Sequence, residues 1–208
     1  DGICSFVELM EPSPALNAQF IIWSTPIGYE IVFPGGTYRE SLAAIWIGST
    51  VPDQKDQVLA EVMANEYPNP WWDAINGTGH YDQVTWPSVM WAGWYDIFLA
   101  GTLSGFEGYQ KQSTGVQGGS KLFVDPLGHC QSGASYFKPD LIAGRTAAAL
   151  LQSYELYGVR DMQRDFEAVT FYVMGPDDGS SVGGFWSSQP DWPVAISTDL
   201  YLHADGTA

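Results

Sequence analysis

Short apolar runs alternate with longer segments of helical spacing along most of this chain. The apolar runs have the length of strands and the continuity typical of strands buried on both faces of a parallel sheet. They predict three strands, at Asn17 to Trp23, Ser88 to Gly93 and Lys121 to Val124. The helical spacing predicts helices at 3–11, 97–111 and 139–157, the last ended by Gly158. This alternation predicts an α/β fold on a parallel sheet.

Residues 35–83 interrupt the alternation with helical patches and many turn residues. The clearest helix there is predicted to start at Asp53 as N-cap and to end near Asn65. Its apolar face comprises Val58, Leu59, Val62 and Met63. A further helical turn is expected at 71–75, after a proline-rich break. Because no apolar run of strand type occurs here, we interpret the segment as an insertion that covers the sheet.

The pattern changes again after Asp165. Ala168 to Met174 and Asp199 to His203 are rich in β-branched and aromatic residues, and the segment between them has no helical period. Residues 165–208 therefore predict the start of an all-β domain.

Composition excludes several classes of function. The 208 residues include 8 basic and 24 acidic side chains, a formal net charge of −16, and the basic residues are scattered. Such a chain repels phosphate backbones, so nucleic acid is not an expected partner. The longest apolar stretch, Val89 to Ala100, contains Asp96 and is too short to span a membrane, so no membrane partner is expected either.

Two cysteines, Cys4 and Cys130, are too few for a disulfide scaffold, and they are predicted either to form one disulfide or to be buried thiols. The three histidines are dispersed, so neither a metal site nor a cofactor is expected. Asn76, in the triplet Asn-Gly-Thr, is a candidate for N-glycosylation. Few lysines, many aromatic residues and this triplet favour an extracellular or secreted protein.

Two polar residues follow consecutive predicted strands, Asp96 and then His129. In a parallel sheet functional side chains collect at the carboxyl ends of strands, so we expect the two to lie within hydrogen-bonding distance. Taken singly, each is more often a structural residue. Together, they match the order Ser, Asp, His of the α/β-hydrolases.

The segment Ala92-Gly93-Trp94-Tyr95-Asp96-Ile97-Phe98 resembles the acid-bearing segment of the cocaine esterase and X-prolyl dipeptidyl aminopeptidase-like hydrolases, a family that includes α-amino-acid ester hydrolases. Val124 to His129 is similar to that family's histidine segment, although Asp125-Pro126 stands where Gly-Pro is usual. Segments 171–175 and 200–206 look like the first strands of its C-terminal jelly roll.

The resemblance implies a division of the chain into three parts: a partial α/β-hydrolase domain at 1–34 and 84–160, a cap insertion at 35–83, and the start of a jelly roll at 165–208. The family's nucleophile elbow reads Gly-x-Ser-x-x-Gly, and Asp1-Gly2 would supply its last two positions. The serine would then precede Asp1 by two residues. We therefore expect a middle fragment of a longer protein.

This alignment has two structural consequences. Asp1 should be buried near His129, and a preceding strand should fill the sheet between the first two apolar runs. Since Cys4 lies in the elbow helix and Cys130 follows His129, the two cysteines should also be close in space.

Other residues have simpler interpretations. Cys4 is a poor candidate nucleophile, because Phe6 stands where an elbow needs glycine; Ser5 is expected in a helix and Ser24 in a turn. His80 is expected to be exposed in a turn, with a place in the substrate pocket as the alternative, and His203 in a strand far from the acid.

A group of tryptophans surrounds the insertion and the Asp96 strand. Core packing is their default role. If the insertion caps the site, an apolar pocket for the acyl or leaving group would draw on Trp71, Trp72, Trp94 and Tyr95.

The leading hypothesis is a serine hydrolase that cleaves an ester or amide bond, X-prolyl peptide bonds included, through an acyl-enzyme. Its partners would be a small-molecule ester, amide or peptide and the rest of its own polypeptide, and a homo-oligomer is left open. The alternatives are a non-catalytic structural or binding protein that retains the α/β-hydrolase fold, and an unrelated α/β domain.

Overall fold

The computed structural model describes residues 2–131, 139–157, 166–176, 178, 180, 182–193, 199 and 201. These form one mixed sheet with helices around it. The strands are β1 (Gln19–Ile22), β2 (Ser88–Tyr95), β3 (Lys121–Gly128), β4 (Val169–Val173) and β5 (Phe185–Gln189). The helices are α1 (Gly2–Val7), α2 (Gly28–Val32), α3 (Glu40–Thr50), α4 (Lys55–Ala64), α5 (Leu99–Gln112) and α6 (Pro139–Tyr157).

The sheet has the order β1-β2-β3-β4-β5, with β1 to β4 parallel and β5 antiparallel. The three strands predicted from apolar runs are therefore confirmed, and β2 and β3 extend further than expected. β3 is buried along its whole length, and β2 is buried up to Gly93. β1 is buried at Gln19 and Ile21, and the alternate residues Phe20 and Ile22 are partly buried.

The segment predicted to open an all-β domain instead continues the α/β sheet. β4 pairs in parallel with β3, from Leu122 opposite Val169 to Val124 opposite Phe171, and β5 returns beside β4. The jelly roll stays a prediction. The structure describes only Asp199 and Tyr201 among residues 199–203, and neither of them lies in a strand. His203 and Gly158 lie outside the described residues.

The expectation of a missing strand between the first two apolar runs is wrong. β1 pairs directly with β2, from Gln19 opposite Ser88 to Ile22 opposite Trp91, so no gap separates them. Within the described part of the chain, the outer edge of β1 pairs with no other strand. The predicted burial of Asp1 falls outside the described residues.

The segment between β1 and β2 is helical, as predicted, and comprises α2, α3, α4 and 3₁₀ turns at Pro34–Gly36, Pro52–Gln54, Pro70–Ile75 and Tyr81–Gln83. Its apolar residues form a cluster of their own. The buried members of this insertion cluster are Ile31, Val32, Phe33, Ala43, Ile47, Val62, Trp72 and Phe98. Since Phe98 follows β2, the cluster links the insertion to the carboxyl edge of the sheet.

Two details of the insertion differ from prediction. Asp53 is not an N-cap, because Pro52 begins a 3₁₀ turn that includes Asp53, and α4 starts at Lys55 without a side-chain cap. Met63 is exposed, whereas Val58, Leu59 and Val62 pack in the insertion cluster as predicted.

The two ends of the insertion meet. The Gly77 N–H donates to the Pro26 carbonyl at 2.8 Å, and a Cβ on Gly28 would lie 2.5 Å from the Ile75 side chain. The insertion therefore leaves and rejoins the sheet at nearly the same point.

Helix α5 packs closely because one of its faces carries glycines. A Cβ on Gly101, Gly105 or Gly108 would lie 2.1 to 2.5 Å from Thr25, Phe6 or Tyr81, respectively. Their spacing places all three on the same side of the helix. This face allows α5 to contact both the turn after β1 and the core, which includes Phe6, Ile21, Met90 and Tyr109. Within the described residues, no helix has the length and apolar character needed to cross a bilayer.

We expect Gly101→Ala to destabilise the protein by about 1–3 kcal/mol, because Thr25 is held by its bond to the Ile27 N–H and cannot yield easily. Gly144→Ala in α6 is the matched control, since nothing lies within 4 Å of its added Cβ. There the higher helix propensity of alanine should stabilise by up to about 1 kcal/mol. Urea unfolding of both variants measures the difference, and equal effects would contradict the close packing of α5.

Candidate active site

Asp96 directly follows β2 and is held by the turn that begins α5. Its side chain is 0% exposed. The Phe98 N–H donates to its Oδ1 at 2.6 Å, and its own N–H donates to the Gly93 carbonyl at 2.9 Å. Oδ1 of Asp96 therefore accepts the hydrogen bond that stabilises the turn, and Oδ2 remains available to contact another side chain.

That side chain is His129, which follows β3. Its Nδ1 lies 3.1 Å from Asp96 Oδ2, so the predicted hydrogen bond is confirmed. A carboxylate only accepts, so Nδ1 carries the proton and Nε2 is the basic nitrogen of the neutral ring. The His129 side chain is 33% exposed, and no described residue forms a hydrogen bond with Nε2. The pair thus presents a base to the carboxyl edge of the sheet.

Two aromatic rings hold the imidazole of His129. The Phe98 ring packs edge-on, with centroids 5.2 Å apart, and the Trp23 ring lies at 6.0 Å. Trp23 follows β1 and has a φ of 46°, a left-handed conformation that is costly for a bulky residue and concentrated at functional sites. The sequence analysis missed both residues, because it placed Trp23 inside the first predicted strand and Phe98 inside a predicted helix, whereas the observed strand β1 ends at Ile22 and α5 starts at Leu99.

The last residues of β3, just before His129, are shaped by Asp125. The Leu127 N–H donates to its Oδ1 and the Trp91 indole N–H to its Oδ2, each at 2.8 Å. Opposite Asp125 on β2 is Gly93, where a Cβ would lie 2.1 Å from the Leu127 carbonyl oxygen. The register of β2 and β3 shifts just after this pair. A side chain at Gly93 would therefore force the strands apart where the acid and the base meet.

The electrostatics of Asp125 are unusual for an aspartate. Burial raises its pKa to about 6, and the nearby charge of Asp96 also raises it, while the bonds from Leu127 and Trp91 lower it. Only 1% of the residue is exposed. From sequence, Asp125 was noted only as a departure from Gly-Pro, because nothing in the pattern indicates that its carboxylate is buried beside a second one.

The four residues predicted to line the pocket lie in different parts of the structure. Trp72 is buried in the insertion cluster and donates its indole N–H to the Asn65 carbonyl, and Trp71 packs edge-on against it at the surface. Trp94 donates to the Tyr172 carbonyl at 2.7 Å and packs on the core. Tyr95 is 64% exposed. No described ring contact joins any of the four to His129, so their place in a pocket stays a prediction.

The predicted disulfide is wrong. Cys4 and Cys130 are both free and exposed, so the alternative of two buried thiols is wrong as well. Cys130 has a φ of 56° in the turn that follows His129. Closeness to the elbow helix and to the histidine along the sequence did not ensure that the two thiols meet.

The remaining candidates lie apart from the acid and base. His80 follows a turn but is partly buried rather than exposed, and Ser5 lies in α1 as predicted. Asn76 is partly buried and accepts hydrogen bonds from both the N–H and the hydroxyl of Thr78; its glycosylation stays a prediction. The described residues contain no group of three or more His, Cys, Asp or Glu side chains suited to a metal ion.

A cleft of about 430 Å³ lies between α6 and β5, lined by residues that include Asp140, Arg145 and Trp186. The Arg145 guanidinium lies over the rings of Phe166 and Trp186, at 5.8 and 5.9 Å. Neither Asp96 nor His129 lines this cleft, so it is not the place where the acid and base act.

Residues 48–131 match the family model of the X-Pro dipeptidyl-peptidases (S15 family). The matched segment includes Asp96, Asp125 and His129. The search of curated proteins found no match. The family match confirms the resemblance inferred from the sequence.

The fold is similar to two solved structures. A CocE/NonD family hydrolase from Staphylococcus aureus superposes with a TM-score of 0.65 at 17% identity, over 97% of this chain and 35% of that one. An aminopeptidase from the marine sediment archaeon Thaumarchaeota archaeon superposes with a TM-score of 0.63 at 16% identity, over 97% of this chain and 39% of that one. The chain thus spans little more than a third of either neighbour.

We expect Asp125 to make stability depend on pH. Its folded pKa of about 6 exceeds the ordinary 3.8, so the folded state holds the proton more tightly and loses stability as pH rises from about 4 to 6. The loss is on the order of 2–3 kcal/mol. Relative to the Asp125→Asn variant, wild type should therefore become less stable by this amount between pH 4 and pH 7.

Urea unfolding of both proteins across this pH range measures the difference. Asp53→Asn, at an exposed aspartate of the insertion, controls for the loss of one charge. A constant difference between wild type and Asp125→Asn at every pH would show that Asp125 titrates normally.

Proposed function

We propose that Asp96 and His129 are the acid and the general base of a serine hydrolase, because both lie in residues 48–131, the segment that matches the X-Pro dipeptidyl-peptidase (S15 family) model. The hydrolase cleaves ester or amide bonds, X-prolyl peptide bonds included, through an acyl-enzyme. The observation that carries the proposal is the 3.1 Å bond between Asp96 Oδ2 and His129 Nδ1 at the carboxyl ends of adjacent parallel strands.

The proposed reaction depends on His129, whose Nδ1 is bonded to Asp96 and whose Nε2 is free to accept a proton. Its Nε2 accepts the serine proton while the serine oxygen forms a bond to the carbonyl carbon of the substrate. The imidazolium then gives this proton to the leaving group as the scissile bond breaks, and water releases the acyl group by the same steps. Asp96 stays ionised, holds the Nδ1–H and stabilises the imidazolium. Its second oxygen, bonded to the Phe98 N–H, fixes the carboxylate during both transfers.

The nucleophile is proposed to be a serine two residues before Asp1. Support comes from Gly2, where a Cβ would lie 2.6 Å from the Ile22 carbonyl oxygen and from Ser24 Cβ. Helix α1 begins at Gly2 against the end of β1, and the last glycine of an elbow serves such a close approach of helix and strand. A strand leading into this elbow would pair with the outer edge of β1.

Residues within the chain are weaker candidates for the nucleophile. Cys4 is exposed, Ser5 lies within α1, and Ser24 is fully buried with no hydrogen-bond partner for its hydroxyl. No described serine or cysteine forms a hydrogen bond with His129.

The surroundings of His129 favour an apolar group on the substrate. The rings of Trp23 and Phe98 flank the imidazole, and Phe98 continues into the insertion cluster. We propose that the acyl or leaving group of a small ester, amide or peptide lies against these rings, beneath the insertion. An extracellular location is proposed on composition and the Asn76 triplet alone.

We expect Asp96→Asn in the full-length protein to lower kcat by about 10⁴-fold. The asparagine Oδ1 still accepts from the Phe98 N–H, but its amide group presents N–H to Nδ1 and favours the wrong tautomer of His129. His129→Ala should have a similar effect, whereas the exposed Asp53→Asn should retain wild-type kcat.

The assays are hydrolysis of nitrophenyl esters and X-prolyl nitroanilides, together with labelling by a fluorophosphonate. The expected labelled residue is the serine two positions before Asp1. Absence of serine there, together with no hydrolysis of either substrate, would favour a non-catalytic protein that retains the fold. Full activity of Asp96→Asn would refute the role of Asp96 as the acid.

A further inference from the structure

The acid and base do not stand alone at the carboxyl edge, because a second buried carboxylate lies near the end of β3. Asp125 precedes His129 by four residues, and Asp96 lies at the end of the adjacent strand. Burial raises the pKa of Asp125, and the nearby charge of Asp96 adds to this effect. In a chain with few basic residues, no described lysine or arginine forms an ion pair with either carboxylate.

We propose that Asp125 is a positioning residue for His129: its carboxylate holds the turn that carries the imidazole and adds a second negative charge that stabilises the imidazolium. The proposal rests on the proposed function and assigns Asp125 a role in the same site. The departure from the usual Gly-Pro then has a use, since glycine has no carboxylate.

The first part of the role is geometric. Pro126 has no N–H, so the chain cannot form the regular ladder there, and the Leu127 N–H bonds to Asp125 Oδ1 instead. Gln131 secures the other side of the turn, since its Oε1 accepts from the Gly128 N–H and its N–H donates to the Gly128 carbonyl. Asp125 and Gln131 thus fix the backbone on both sides of His129.

The second part is electrostatic. The contacts of Asp125 are the uncharged Trp91 indole and the Leu127 amide, and the titratable group that acts on it is Asp96. The contacts of His129 are Asp96 and the rings of Trp23 and Phe98. An ionised Asp125 therefore adds its charge to that of Asp96 and favours protonated His129. Burial raises the pKa of Asp125 to about 6, so this charge is present at neutral pH and is lost as the pH falls below about 6.

Asp125→Asn in the full-length protein separates the two parts. The asparagine Oδ1 still accepts from the Leu127 N–H, so that backbone contact is kept, while the charge and the acceptor for the Trp91 indole N–H are lost. We expect the acid limb of the kcat/KM profile, which reports neutral His129, to move to lower pH by about half to one unit. The same loss of imidazolium stabilisation should lower kcat by about 3- to 10-fold, with KM little changed. Asp125→Ala, which also removes the turn contact, should lower kcat further.

Controls decide between this role and a purely structural one. Asp53→Asn should leave both the acid limb and kcat unchanged. Trp91→Phe keeps the carboxylate but removes the donor to Oδ2, so Asp125 ionises less readily and the limb should shift in the same direction by a smaller amount. This variant carries the test if Asp125→Asn does not fold. A profile of folded Asp125→Asn that overlays wild type, with unchanged kcat, would overturn the proposal.

A readout independent of activity separates this proposal from the proposed function. In full-length protein labelled with ¹³C-histidine, the His129 signal, assigned by its loss in His129→Ala, should titrate at lower pH in Asp125→Asn than in wild type. A shifted titration in a protein without hydrolase activity would support the coupling and refute the hydrolase. Hydrolase activity, with the same His129 titration and the same pH profile in wild type and Asp125→Asn, would support the proposed function and refute the coupling of Asp125 to His129.

Discussion

The close approach of β2 and β3 at Gly93 is the constraint on which the site depends. A Cβ at this position would lie 2.1 Å from the Leu127 carbonyl oxygen and 2.8 Å from Asp125 Oδ1. Without a side chain there, the strands stay in contact through the register shift, and the turns after them emerge side by side. The Asp96 to His129 bond, the turn held by Asp125 and the packing of Phe98 on the imidazole all follow from this contact.

The sequence predicted the parallel sheet and the acid and base pair because both follow from simple rules. Continuous apolar runs indicate buried strands, and the carboxyl ends of parallel strands lie at one edge, so Asp96 and His129 had to be neighbours once β2 and β3 paired. The order in which the strands pair was harder to predict from the sequence. β4 joins the sheet through a parallel partner more than 40 residues away in sequence, which no local pattern of β-rich residues distinguishes from the start of a new domain.

Details that depend on the direction of side chains were beyond the sequence. Cys130 follows His129 directly, but it is exposed, with a left-handed backbone, and forms no bridge with Cys4. Trp72 and Trp94 lie near the predicted site in sequence, yet their indole groups bond to backbone carbonyls within the insertion and on β4. Asp125 became notable only when its burial and its distance to two donors were known.

The joined ends of the insertion have a consequence for how such a protein can diversify. Because the Gly77 N–H bonds to the Pro26 carbonyl and Gly28 lies against Ile75, the helices between them form a loop whose stem is closed. Such a loop can be lengthened, shortened or exchanged over generations without altering the spacing of β1 and β2. Selection can therefore change the length and sequence of this segment while Asp96 and His129 keep their positions.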